Sequence, residues 1–179
     1  DTRNAAADDR LLVIPLILAV VLLVLFALLR AAIAPILLVL ATVLSTVAAI
    51  GLGTFVGIHL FGFPALDNNT VLFAFLFLVA LGVDYTIFLV TRAREESARH
   101  RVPTAMIRAV SATGGVITSA GIVLAAVFAV LGVLPLITLT QLGIIVGLGI
   151  LLDTFVVRTV VVPALFTLVG ERIWWPTHP

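Results

Sequence analysis

The sequence contains no cysteine and no lysine, and it has few charged residues of any kind. The absence of cysteine excludes disulfides, thiolate metal sites and a thiol nucleophile. Charged residues occupy 11% of the 179 positions, whereas soluble domains carry about 25%. So little charge does not cover a globule in water, and disordered segments are excluded as well because they are polar and charge-rich. These absences leave the class of membrane proteins.

Apolar residues, by contrast, make up 63% of the sequence and lie in long runs between the charges. Because a transmembrane helix needs about 20 apolar residues, the runs predict an all-α fold, a polytopic membrane helix bundle of five transmembrane helices. Pro163 predicts a break or kink near the end, since proline lacks the amide donor of a helix interior. The predicted spans are residues 11–29, 33–58, 70–91, 112–132 and 138–158, the last with an extension to 169.

Arginine is distributed unevenly between the two sides that five alternating spans define. Seven arginines fall on the side of residues 30, 92–108 and 172, and two fall on the other side, near the N-terminus. The positive-inside rule therefore predicts a cell-membrane protein with its N-terminus outside and its C-terminus in the cytoplasm, anchored at the inner interface by Trp174 and Trp175. The predicted organisation is an extracellular linker over 1–10, a transmembrane domain over 11–170 that contains a cytoplasmic connection at 92–111, and a cytoplasmic tail over 171–179.

Asp84 lies near the middle of the third predicted span. At 1.5 Å per residue it is about 4.5 Å from a midplane at Leu81, and a carboxylate at that depth costs about 2.5–3.5 kcal/mol. Such residues usually face the bundle interior and mark an ion or proton path; a carboxyl that serves packing alone is the alternative. Tyr85 follows directly. Because adjacent helical side chains point about 100° apart, we expect Tyr85 to contact a different helix rather than Asp84.

Other polar residues in the spans are interpreted as structural or supporting. Asp153 and Arg158 are five residues apart, a spacing unsuited to an intrahelical ion pair, which favours three or four. We therefore expect both to be structural charges that pair with neighbouring helices. Thr118 and Ser119 are candidates to support Asp84 by hydrogen bonding. Glycine pairs four residues apart, at 53 and 57 and at 143 and 147, predict close helix packing.

Motifs for catalysis or cofactor binding are missing from the sequence. It has no phosphate-binding glycine loop and no HExxH zinc motif, and no nucleophile–base pair occurs in the spans. The three histidines, at 59, 100 and 178, are widely separated. We therefore expect no catalytic residues, no metal site, no cofactor and no nucleic-acid partner.

Four segments together resemble a known family. Residues 80–96, ALGVDYTIFLVTRAREE, are similar to the Gly-x-Asp-Tyr helix and the following Arg/Glu turn of the MMPL family, which belongs to the resistance-nodulation-division superfamily. Residues 109–121 and 151–164 and the Trp-Trp-Pro sequence at 174–176 resemble its later helices and its end. With five predicted helices and an outside start, the chain resembles the last five helices of the C-terminal transmembrane half. Residues 1–10 would then be the linker from a missing porter domain.

The resemblance implies a function. In such a transporter the proton-motive force, rather than a cofactor, drives export of lipids or other hydrophobic small molecules. Asp84 would carry the proton, and Tyr85 would bind the aspartate on the Asp-Tyr helix of the N-terminal half, which makes that half a partner alongside membrane lipids and the substrate. Two alternatives remain: a non-transporting module of the same superfamily, sterol-sensing-like or a protein-translocation accessory, and a purely structural remnant.

Overall fold

The computed structural model describes residues 2–177, without the side chains of residues 2–10 and 68. The described residues are almost entirely helical and contain five stretches long and apolar enough to cross a membrane, which confirms the predicted fold class. The fifth stretch is composite: after α5 come a π-helix, named the π segment, a short α6 and a terminal 3-10 helix. The elements are α1 (Thr2–Leu29), α2 (Ile33–Phe61), α3 (Asn68–Ser97), α4 (Val102–Leu131), α5 (Ile137–Leu152), the π segment (Asp153–Val161), α6 (Val162–Val169) and the 3-10 helix (Gly170–Trp174).

The helices extend beyond the predicted spans at several ends. Most of the predicted connection at 92–111 is helical, and only residues 98–101 lie between α3 and α4. Charged side chains stabilise this extension, since Arg92 forms ion pairs with Glu95 and Glu96 at 2.8 and 2.9 Å, the spacings of three and four that suit a helix. The helix therefore continues beyond the apolar run from which the span was predicted. The backbone of the predicted linker is likewise helical from Thr2.

Glycines allow the helices to approach each other closely. A Cβ atom placed on Gly53 in α2 would lie 2.5 Å from the Cγ1 atom of Ile145 in α5. A Cβ on Gly143 in α5 would lie 2.5 Å from the carbonyl oxygen of Phe128 in α4. Both distances are shorter than any side chain tolerates. The packing role predicted for the two glycine pairs is therefore confirmed at these positions.

A buried amide holds the loop between α2 and α3. Gln141, on α5, is 2% exposed. Its Nε2 donates to the carbonyl of Ala65 at 2.8 Å, and its Oε1 accepts from the amide of Asp67 at 3.0 Å and from the hydroxyl of Thr70 at 3.4 Å. One side chain therefore fixes the loop against the start of α5. We call this end of the bundle, with loop 62–67, the loop end.

The opposite end, which carries residues 30, 98–101 and 170–177, is called the arginine end. Trp174 is fully buried there and packs edge to face on Phe166, with ring centroids 5.7 Å apart, whereas Trp175 is exposed. The carbonyl of Trp175 accepts a hydrogen bond from the amide of Ala32, between α1 and α2, at 2.7 Å. The predicted interfacial anchor is therefore wrong for Trp174, because its ring fills the core where the last helix turns back.

The fifth span does not break at Pro163. Instead the helix widens over the π segment, Asp153–Val161, and returns to α-helix at Val162, so that Pro163 lies in the first turn of α6. In an α-helix the proline ring clashes with the carbonyl four residues earlier, and the wider π segment directly before Pro163 relieves this clash without a break. The change in helical register therefore begins ten residues before the proline, at Asp153. This replaces the predicted break or kink.

Candidate functional site

Asp84 lies on a face of α3 that the rest of the described chain leaves open. The Asp84 side chain is exposed, and no other described side chain forms a hydrogen bond or an ion pair with it. The exposed residues of the same face recur every three or four positions, as one stripe along the helix. The Asp84 carboxyl thus lies within the third spanning helix on an apolar, largely exposed face, of which Phe77 packs edge to face on Phe128 of α4. The other members of the stripe are Phe73, Phe77, Ala80 and Phe88.

Tyr85 points to the other side of α3. It is half-buried, and the guanidinium carbon of Arg158, in the π segment, lies 4.7 Å from the centroid of its ring. On its other flank Tyr85 lines an open groove of about 410 Å³ whose wall is formed by residues of α4, Ser119 among them. Tyr85 therefore contacts a helix other than its own, as its position next to Asp84 predicts.

Thr118 and Ser119 do not bond Asp84 in the chain as described. The hydroxyl of Ser119 donates to the carbonyl of Val116, one turn earlier in α4, at 3.0 Å. Thr118 instead lines a cavity of about 20 Å³ together with Arg158. The predicted support for Asp84 by these two hydroxyls therefore stays a prediction.

Asp153 and Arg158 form a buried ion pair within the fifth span. Asp153 is 9% exposed and Arg158 3% exposed, and Nη2 of Arg158 donates to Oδ2 of Asp153. The expectation that a spacing of five prevents such a pair is wrong, because the backbone between them is π-helical. In a π-helix the hydrogen bonds join residues five apart, so side chains five apart lie one above the other.

Arg158 also binds the backbone of α3. Its Nη2 atom donates to the carbonyl of Gly82 at 3.1 Å and approaches that of Leu81 at 3.4 Å. The same guanidinium lies over the ring of Tyr85. The expected pairing with a neighbouring helix therefore does occur, to carbonyl oxygens rather than to an acidic side chain. The other nitrogens, Nε and Nη1, are buried and have no partner among the described residues.

Sequence reasoning missed two features of this region. It did not single out Gln141, although a lone amide inside an apolar span is itself a signal of an internal hydrogen-bond site. It also missed the π segment, for which the spacing of five between opposite charges was the available signal. The sequence did identify both acids and both of their neighbours, Tyr85 and Arg158.

Known proteins with similar sequences are membrane proteins and exporters. The chain is 51% identical over its whole length to ActII-3 of Streptomyces coelicolor, which is named as a membrane protein. It is 46% identical over 179 residues to the acyltrehalose exporter MmpL10 of Mycobacterium tuberculosis, and 41% identical over 176 residues, or 98% of the chain, to the apo-petrobactin exporter of Bacillus anthracis.

The chain covers only part of each of these relatives. It spans 25% of the Streptomyces protein, 18% of the acyltrehalose exporter and 24% of the apo-petrobactin exporter. The model of the MMPL family nevertheless matches residues 1–179, the full extent of the sequence. With the five spanning helices and the Asp84-Tyr85 pair at membrane depth, this match shows that the chain belongs to the MMPL family.

Proposed function

We propose that this chain is the membrane half of an exporter driven by the proton-motive force, and that Asp84 is its proton carrier. One observation carries the proposal: a carboxylate at membrane depth lies on a helix face that no other described residue covers. A charge exposed to lipid costs about 2.5–3.5 kcal/mol on insertion scales. Intramembrane acids that persist at such a cost usually lie on a proton or ion path.

The open face of α3 also supports a partner. An exposed Asp84 would gain most from a hydrogen-bond donor on a facing helix, because an unpaired polar group in an apolar environment loses its bonds to water. The matched region is 25% of one relative and 18% of another, so the relatives have room for a second helix bundle. We propose that the N-terminal half of the same transporter covers this face and that a tyrosine of its Asp-Tyr helix binds Asp84.

Tyr85 has the reciprocal role in this proposal. It would donate its hydroxyl to the aspartate of the opposite helix, so that each half supplies one acid and one phenol. Its place beside a groove of about 410 Å³ leaves that side of the ring accessible. Thr118 and Ser119, on the adjacent helix, are the hydroxyls that we propose support this relay.

The substrate class rests on the relatives. Two of them are named as exporters, one of acyltrehalose and one of apo-petrobactin. We propose that the transporter containing this chain exports a lipid or another hydrophobic small molecule, with no cofactor besides the proton gradient and no catalytic step. The N-terminus would lie outside the cell membrane and the C-terminus in the cytoplasm, as the arginine asymmetry favours.

The decisive variant is Asp84→Asn in the full-length protein. Amide and carboxyl have nearly the same size, but the amide does not exchange a proton, so proton transport through proteoliposomes loaded with a pH-sensitive dye should fall to background. Asp84→Glu should retain part of it. Glu95→Gln is the matched control, since Glu95 is an exposed acid on the same helix whose one ion-pair partner among the described residues is Arg92, and it should behave as the wild type. Wild-type proton transport by Asp84→Asn would contradict the proposed role and favour a non-transporting module.

A further inference from the structure

We infer that Arg158 is a positioning residue for the relay: held by Asp153 in the π segment, it fixes the turn of α3 that carries Asp84 and Tyr85. The inference rests on the proposed function, because it concerns the same two relay residues. It adds a role for the buried ion pair that packing alone does not require. Three contacts of one guanidinium carry it, and its Nη2 atom makes both those with the α3 carbonyls and the one with Asp153.

The first contacts are those to the α3 backbone. Arg158 donates to the carbonyls of Gly82 and Leu81. In an α-helix the carbonyl of residue i accepts the amide of residue i+4, so these oxygens also accept the amides of Thr86 and Tyr85. The arginine therefore binds the one helical turn whose hydrogen bonds enclose Asp84. A shift or rotation of this turn would have to break those contacts.

The second contact is with the Tyr85 ring. A guanidinium within about 6 Å of a ring centroid attracts the face of the ring, and here the distance is 4.7 Å. This interaction sets the plane of the phenol and so the direction of its hydroxyl. A tyrosine that must reach an acid on a facing helix needs a defined direction, because hydrogen bonds weaken steeply away from linearity.

The third contact, with Asp153, keeps the guanidinium in place. A lone charge that is 3% exposed would be strongly destabilising, and Asp153 supplies the opposite charge. The π register is what brings the two together across five residues. Gly82 allows α2 to approach here, since a Cβ on it would lie 3.3 Å from Cγ2 of Thr42. The π segment is therefore part of the arrangement that holds Arg158 against α3.

Neighbouring charged or titratable groups do not compete for this position. The cavity of about 10 Å³ between α3 and the fifth span contains only three such side chains, those of Tyr85, Asp153 and Arg158. The cavity of about 20 Å³ that Arg158 and Thr118 line has otherwise only threonines, a glycine and apolar residues in its wall. Within the described chain, the guanidinium thus has one acid, one phenol and the α3 carbonyls as its surroundings.

The test uses the full-length transporter in native membranes and measures Asp84 directly. Dicyclohexylcarbodiimide modifies protonated carboxyls in apolar sites, so the pH at half-maximal modification of Asp84, read by mass spectrometry, reports its environment without any substrate. Arg158→Lys keeps the charge for Asp153 but loses the planar guanidinium that lies over Tyr85 and donates to the α3 carbonyls. We expect the midpoint to differ from that of the wild type, because the turn of α3 that carries Asp84 is no longer held, and proton transport to fall about tenfold.

A charge swap separates positioning from mere structural pairing. The double variant Asp153→Arg with Arg158→Asp keeps an ion pair at the same spacing but moves the guanidinium away from Tyr85. We expect folded protein with a shifted modification midpoint and low transport. Arg108→Lys, an exposed arginine on α4, is the control and should match the wild type. If the swap restores both the wild-type midpoint and wild-type transport, the pair is only structural and the inference is overturned.

The two proposals fail in different ways. If Asp84→Asn abolishes proton transport while Arg158→Lys and the charge swap leave the Asp84 midpoint unchanged, the positioning role is wrong and the relay stands. If Asp84→Asn transports protons normally, the relay is wrong, yet a shifted midpoint in Arg158→Lys still supports the contact between Arg158 and the Asp84 turn.

Discussion

Asp84 and Asp153 are two acids at membrane depth in opposite surroundings. Asp153 is 9% exposed, and Arg158 donates to it from the same span. Asp84 lies on an exposed face of α3 with no partner among the described residues. Among the described residues, one of these two intramembrane carboxyls therefore has a partner and the other has none.

The difference separates a charge that the described residues pair from the charge to which we assign the proposed relay. A buried pair is costly to assemble, but once its hydrogen bonds are made it is stable, and removing one member exposes the full cost of the other. An acid without a partner contributes little to the folding stability of the chain that carries it. Intramembrane acids of this kind usually lie on a proton or ion path, which is the role proposed for Asp84. Stability and transport measurements should therefore rank the two acids in opposite order.

The largest stability effect is expected for Asp153→Ala. This change leaves the Arg158 guanidinium buried without its counter-charge, which costs about 3–5 kcal/mol. The free energy of unfolding is to be measured for the 179-residue chain in mixed micelles by titration with sodium dodecyl sulfate, followed by far-UV circular dichroism. Glu95→Ala is the control, because exposed ion pairs contribute at most about 1 kcal/mol. A loss below that level for Asp153→Ala would remove the contrast between the two acids.

A smaller loss is expected for Gln141→Leu. Gln141 is a second polar group that the chain satisfies internally, and leucine would leave the amide of Asp67 and the carbonyl of Ala65 without their partner. Each unsatisfied buried group costs about 1–3 kcal/mol, with relief where water reaches the loop end. The same titration measures it, and hydrogen exchange should show faster exchange confined to loop 62–67. Unchanged exchange there would mean that the amide does not hold the loop.

These comparisons also show how far the sequence predicts the structure. The number of helices follows from the apolar runs, because spanning a membrane depends on summed hydropathy and length. The π segment does not follow from the apolar runs, because it depends on whether each amide bonds the carbonyl four or five residues earlier. Asp84 could be predicted as the candidate acid from its cost in lipid alone. The contacts of Arg158 with α3 could not, because they depend on how closely the fifth span approaches Gly82.

Replacement of both members of the ion pair should cost less than removal of one. Asp153→Leu together with Arg158→Met exchanges the pair for apolar side chains, and such exchanges are often neutral or stabilising. We therefore expect a free energy of unfolding within about 1 kcal/mol of the wild type, while proton transport by the full-length protein remains low because the guanidinium is gone. If stability and transport are both lost, the pair cannot be replaced by packing and its structural role is dominant.

The smallest stability effect is expected for Asp84→Leu, and it depends on what surrounds the chain. In the 179-residue chain alone the side chain is exposed, so the free energy of unfolding should change by no more than about 0.5 kcal/mol. In the full-length protein the same change should cost more, about 1–3 kcal/mol, because it would leave the proposed tyrosine donor of the other half buried without an acceptor. The difference between the two measurements isolates the contact that the chain does not make by itself. Equal effects in both would mean that nothing outside the chain covers Asp84.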